Sequence, residues 1–205
     1  MGLNVSDKGG KDFKPVPAGT HRAVCAMLVD MGVQPSAQFA PKPKVYMRFE
    51  LPDELTEWTD KDGGKHTGPM VIGKQYTASL SEKANLRRDL EAWRGRAFTA
   101  DELKRFDLRS ILGAPALIAV AHKQGADGKT YANLASIMGL PKGTEKPKPA
   151  SDVIAYDIDQ HSEEVFQKLP GWLQEAIKDR VASDTAQTVT AGGKASPEFD
   201  DDIPF

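Results

Sequence analysis

Tyr46 stands between two cations, Lys44 and Arg48, in a run of alternating polarity from Lys44 to Leu51 (KVYMRFEL). On a strand, successive side chains point to opposite faces, so Val45, Met47, Phe49 and Leu51 share one face and Lys44, Tyr46, Arg48 and Glu50 the other. A ring flanked by positive charge is what a sheet needs to stack a base and neutralise the phosphates beside it. The plainer alternative is a half-exposed tyrosine beside ordinary surface charge. Similar pieces recur along the chain: Lys74 with Tyr76, Lys123 and Tyr131 on either side of a turn, Phe39 in a proline-containing loop, and Trp58 in a polar stretch. Exposed loops seldom hold tryptophan without a packing partner or a ligand, so Trp58 either caps a barrel or meets a ligand.

Catalytic sets are missing from the pattern. The four histidines, His21, His66, His122 and His161, are isolated, and no pair has metal-ligand spacing. Gly128-Lys129-Thr130 ends like a phosphate loop, but the pattern needs glycine five residues earlier, where Lys123 stands. No GxSxG occurs, and Cys25 sits in an apolar run, Ala23 to Val29, where a thiol is buried and inert. The expectation is a protein without catalytic residues, metal or cofactor.

The elements that must position these residues read as follows. Residues 1–16 form a loose arm, where Pro15 together with Pro17 forbids strand pairing. A strand is expected from His21 to Met31, a second from Lys44 to Leu51 and a third from Met70 to Leu80. Between the last two, residues 53–69 make a long polar excursion, a hairpin over a groove, with Gly63 and Gly64 near its middle. Ser81 is expected to cap a helix that runs to Arg94 and ends at Gly95, with Leu86, Leu90 and Trp93 on one stripe. Thr99 to Glu102 has the character of a capping box for a short helix from Ala100 to Phe106. Strands Ala116 to His122 and Thr130 to Met138 flank a hairpin turn.

Three strands, a helical connection and two more strands is the order of an OB-fold, a five-stranded barrel that commonly binds single strands or oligosaccharides. The predicted class is therefore mainly β with helices (α+β), with an OB domain over residues 17–140 and a helical insert before its fourth strand. Residues 141–152 are a Pro/Lys linker. Residues 153–181 add a strand and a helix broken at Pro170-Gly171, whose Trp172, Leu173, Ala176 and Ile177 form a stripe that packs on the barrel or on another subunit. Residues 182–205 are expected to be a disordered acidic tail.

Composition agrees. Among 205 residues, 40% are hydrophobic, enough for one core, while a mean hydropathy of −0.46 leaves part of the chain outside it. The net charge of −2 conceals an asymmetry: residues 1–150 hold 23 Lys and Arg against 17 Asp and Glu, and residues 151–205 hold 4 against 12. A mildly basic body with an acidic tail suits a nucleic-acid binder with an intramolecular competitor. One cysteine permits no internal disulfide, which fits a reducing cytoplasm. No run is long and apolar enough for a membrane span, and the polar start, Met1 to Gly10, is not expected to be a signal peptide.

The tail finishes on Asp200, Asp201, Asp202, Ile203, Pro204 and Phe205. Three acids would steer such a hook toward a basic pocket, and an Ile-Pro-Phe end, with a carboxylate expected on Phe205, would anchor on an apolar floor. Glu198 to Phe205 resembles the acidic tip of bacterial-type single-stranded DNA-binding proteins. With its OB-like body, the chain resembles a bacteriophage or prophage member of that class. The resemblance implies a protein of the bacterial host cytoplasm that coats single-stranded DNA in replication and recombination, with the tip recruiting replication, recombination or repair enzymes. Residues 161–181 exceed the minimal bacterial pattern, so a tetramer is not implied; a dimer is the working guess. Two other classes remain open: an OB-like adaptor that uses the tip without binding DNA, and a small nuclease.

Overall fold

The structure, a computed structural model, describes residues 14–59 and 63–181 of the chain. The tip residues Asp200 to Phe205, the rest of the 182–205 tail and the first thirteen residues lie outside the described residues.

Six strands and four helices follow in the order β1 (Gly19–Gln34), β2 (Lys42–Thr59), β3 (Lys65–Thr77), α1 (Asn85–Arg94), α2 (Ala100–Lys104), β4 (Pro115–Gln124), β5 (Thr130–Met138), β6 (Ile154–Tyr156), α3 (Glu163–Gln167) and α4 (Gly171–Lys178). A 3-10 turn over Leu108–Ile111 precedes β4. The antiparallel strands lie in the order β3-β2-β1-β4-β5 and curl into a half-barrel. The molecule is thus mainly β with a few helices, an α+β arrangement compatible with an OB-like fold. The end strands β3 and β5 approach each other across the seam, where α1 packs on both. Breaks in the β1–β2 register at Cys25/Met27 and Asp30/Gly32 bend the long first strand, as bulges do.

The concave side holds the main core. Val45, Met47, Phe49 and Leu51 of β2 face it together with Leu86, Leu90 and Trp93 of α1 and Ile118 and Ile137 of β4 and β5. The alternation read in β2 is therefore the alternation that folds. Trp93 fixes the helix to the sheet by donating its indole N–H to the Pro115 carbonyl at 2.8 Å. Gly95 closes α1 in the left-handed region (φ 68°), and the capping box of Thr99 and Glu102 is formed. Ser81 does not cap the first helix: α1 begins at Asn85 behind Ala84, without a side-chain cap, because residues 81–83 turn first.

The polar stretch 53–69 is a hairpin, as expected, and its two sides are regular strand. Leu55 to Thr59 pair with Lys65 to Pro69, extending β2 and β3 into a hairpin arm beyond a bulge at 52–54. β4 and β5 form a second arm. Gln124 lies beyond Val120, which pairs with Gly19, so both arms leave the sheet at the end where β1 begins.

The convex side carries a second core. β6 pairs in parallel with Met27, Leu28 and Val29 of β1, and α3 and α4 follow it. Met27, Val29 and Met31 are sealed there by Tyr156, Phe166, Leu169, Leu173 and Ile177. The stripe on α4 therefore packs on the barrel. The segment 141–152 does not behave as a free linker either: the Ala150 amide donates to Glu50 at 2.8 Å, and the Ser151 hydroxyl donates to the other oxygen of the same carboxylate.

Candidate nucleic-acid interface

Arg48 lies on the convex face of β2, with its Nε shielded from solvent and without a hydrogen-bond partner among the described residues. Glu50, two residues along the same face, has its two oxygens engaged by Ala150 and Ser151. Opposite Arg48 stands Gly73, whose missing side chain leaves room for the Tyr46 ring; a Cβ there would lie 2.0 Å from the Tyr46 hydroxyl. Tyr46 in turn meets Trp172 of α4 edge to face, with ring centroids 5.0 Å apart and planes at 88°. Burial pushes the Tyr46 hydroxyl above its usual range, so it stays neutral.

Trp172 is 43% exposed although its neighbours Leu173 and Ile177 are fully inside. The result is an open indole braced by a tyrosine, two residues along β2 from an arginine whose Nε has no hydrogen-bond partner among the described residues. Lys44 continues the same face and donates to the Thr77 hydroxyl at 3.1 Å, which holds its stem against the sheet. The pattern in β2 pointed to this face, but to Tyr46 as the stacking ring. In the structure Tyr46 packs edge to face on Trp172, and the indole is the more exposed ring of the two. Its exposure could not be read from the α4 stripe, which treats Trp172 as one more packing residue.

Lys74 and Tyr76 require correction. They belong to the row Met70, Ile72, Lys74, Tyr76 and so face the concave core. Tyr76 is 2% exposed and donates its hydroxyl to Asp89 at 2.8 Å; the Lys74 ammonium meets the same oxygen at 3.2 Å. Desolvation and the Asp89 charge raise the Tyr76 hydroxyl far above its ordinary range. Tyr76 has no free face to offer a strand of nucleic acid, and the partly exposed Lys74 is tied to Asp89.

The other predicted residues lie apart. Trp58 is 48% exposed on the first arm, stacked on His66 at 5.6 Å and 22° and lying over Gly68, where no side chain interferes. It does not cap the barrel. Lys123 and Tyr131 are cross-strand partners on the second arm, and the Tyr131 hydroxyl donates to Asp127 at 2.7 Å. Phe39 is 44% exposed in the loop between β1 and β2. Three sets result: the β2 face with Trp172, the two arms, and the loop at the opposite end of the sheet.

A cavity of about 300 Å³ is walled by Val29, Leu108 and Tyr156 with Asp30, Asp107 and Asp157. Arg109 at its rim is committed to Asp157. Burial pushes the Asp30 carboxyl up, yet three acids make this cavity a poor host for phosphate. Among the described residues, no cluster of three or more His, Cys, Asp or Glu could hold a metal, and no helix is long and apolar enough to cross a membrane. No family model, curated protein or solved structure matches this chain.

Proposed function

We propose that this chain is a sequence-independent single-stranded DNA-binding protein of the OB-fold type, resembling those of bacteriophages and prophages, that coats single strands in replication or recombination. One observation carries the reading. In OB-folds the face of strands 2 and 3 takes oligonucleotides, and here that face carries Arg48, whose Nε has no hydrogen-bond partner among the described residues, and Tyr46, which braces the open indole of Trp172. Arg48 and Lys44 contact phosphates, and Trp172 stacks a base. Any base has a π face, so this recognition is indifferent to sequence. Trp58, Phe39 and the Lys123–Tyr131 pair extend the path at the two ends of the sheet. Tyr46 and Gly73 act by holding Trp172 in place.

The acidic tip, Asp200 to Phe205, adds recruitment of partner enzymes. Deleting Ser196 to Phe205 is expected to keep or tighten DNA binding while abolishing recruitment; weaker DNA binding by the truncated chain contradicts that division of labour.

The test is fluorescence anisotropy of labelled oligo-dT against duplex DNA at low and high salt. Tight binding to the single strand alone, weakening steeply with salt, is expected, because each neutralised phosphate releases counterion. Trp172→Ala should weaken it by about 5- to 150-fold, the equivalent of ~1–3 kcal/mol for one stacked base. Absence of binding at low salt overturns the proposal and leaves an adaptor that works through the tip. Metal-dependent cleavage of the oligonucleotide would make it a nuclease.

A further inference from the structure

The segment 141–152 has the composition of a spacer, yet it is fastened to the sheet at two points, Glu145 and Ala150-Ser151. Arg22 donates to the Glu145 carbonyl at 3.3 Å and reaches the Glu145 carboxylate at 3.9 Å. Farther along, Ala150 and Ser151 occupy Glu50, two residues from Arg48 on the same face of β2. Between these points exposure alternates: Lys146 and Lys148 are exposed, Pro147 and Pro149 half-buried, and Lys142 is exposed ahead of them. The prolines face the sheet and restrict the backbone, so the lysines project outward from a track already ordered. An extended chain advances ~3.3 Å per residue, which sets Lys146 and Lys148 ~7 Å apart, commensurate with successive phosphates on a single strand.

The acids nearby are held away from the lysines rather than neutralised: Glu50 points its oxygens at Ala150 and Ser151 while keeping its charge, Asp53 is held by Arg22 in a two-pronged pair at 2.7 and 2.8 Å, and the exposed Glu145 carboxylate lies 3.9 Å from the same Arg22. Asp152 is exposed at the end of the strap. Lys142, Lys146 and Lys148 thus lie exposed along the strap, which reaches β2 at Glu50, two residues from Arg48.

We infer that the strap is a built part of the interface, a lysine track that binds the phosphate backbone of the strand whose bases reach Trp172. This rests on the single-strand reading above and adds to it a surface that the sheet does not supply.

Oligo-dT binding by the full chain is measured across a salt series for the wild type, for Lys142→Gln/Lys146→Gln/Lys148→Gln, and for a charge-matched control, Lys83→Gln/Lys104→Gln/Lys168→Gln. All six lysines are exposed, and thermal unfolding verifies that each variant is folded. Three lost phosphate contacts should flatten the slope of log K against log salt by about 2, at ~0.7 per phosphate on single strands. Between 50 and 200 mM salt the wild type then loses roughly 20-fold more affinity than the strap variant. The control should keep the wild-type slope, and the triple Lys→Arg variant should restore it. A strap variant with the wild-type slope, or a control that flattens equally, overturns the inference while leaving single-strand binding intact. A wild type that fails to bind oligo-dT overturns both.

Discussion

Asp89 shows how one side chain decides the fate of two others. It is 4% exposed and accepts from both Tyr76 and Lys74. Replacing it with alanine strands a buried hydroxyl and an ammonium, and Asp89→Ala should cost ~3–5 kcal/mol in urea unfolding. Tyr76→Phe removes only one donor and should cost less. The parity of β3, with Tyr76 in step with Met70 and Ile72, already placed the ring inside. That signal lost to the attraction of an aromatic beside a lysine, and the acid that binds them arrives thirteen residues later on another element. Cys25 behaved as its surroundings suggested: it is buried, and desolvation pushes its thiol up to about 12. Native protein at neutral pH should therefore resist alkylation that goes to completion in denaturant. Acid should act through Glu102 and Glu91. Arg96, Arg94 and the Thr99 amide hold the first well below the usual carboxylate range; the Phe98 amide and Arg87 hold the second below it. A lowered folded-state value gives stability that is present above the unfolded value, near pH ~4.3, and is lost as pH falls through the folded one. Unfolding temperature should drop below about pH 4–5, and Glu102→Gln should flatten that drop.

Among the elements, β2 was legible because both its faces obey a two-residue period, and α1 because its apolar stripe ends on Gly95. The first arm was legible as a hairpin from Gly63 and Gly64 but not as an extension of β2 and β3, since its strands face solvent on both sides and have no apolar row to betray them. Its pairing shows instead in cross-strand partners such as Trp58 and His66. The strap was missed for a related reason: what fixes it is Glu50 at one point and Arg22 at another, and composition cannot reveal partners a hundred or more positions away. Gly73 is where β3 meets this architecture. Gly73→Ala drives a Cβ into the Tyr46 ring, which cannot retreat past Trp172. The expected outcome is a loss of ~1–3 kcal/mol, with weaker oligo-dT binding as the indole is displaced. Unchanged stability and affinity would show that the ring simply rotates aside.

For the molecule as a whole, the boundary expected at Leu140 is not a boundary of packing. β1 lies between two cores, with Cys25 and Leu28 in one and Met27, Val29 and Met31 in the other. A chain ended at Leu140 bares that second row. Such a truncation should aggregate or melt well below the full chain, which should unfold in one calorimetric transition. Two transitions, with the body surviving alone, would show that the convex cover is only an accessory.

The same arrangement sets a schedule for synthesis. β1 leaves the ribosome early, but Ile177, which helps close its convex face, follows Met31 by about 145 residues. At ~5–20 residues per second, Met27, Val29 and Met31 wait roughly 7–30 s for their cover. During that interval the nascent chain presents an apolar strand face with no partner of its own, so the yield of this protein should depend on translation speed and on holding chaperones more than its native stability suggests.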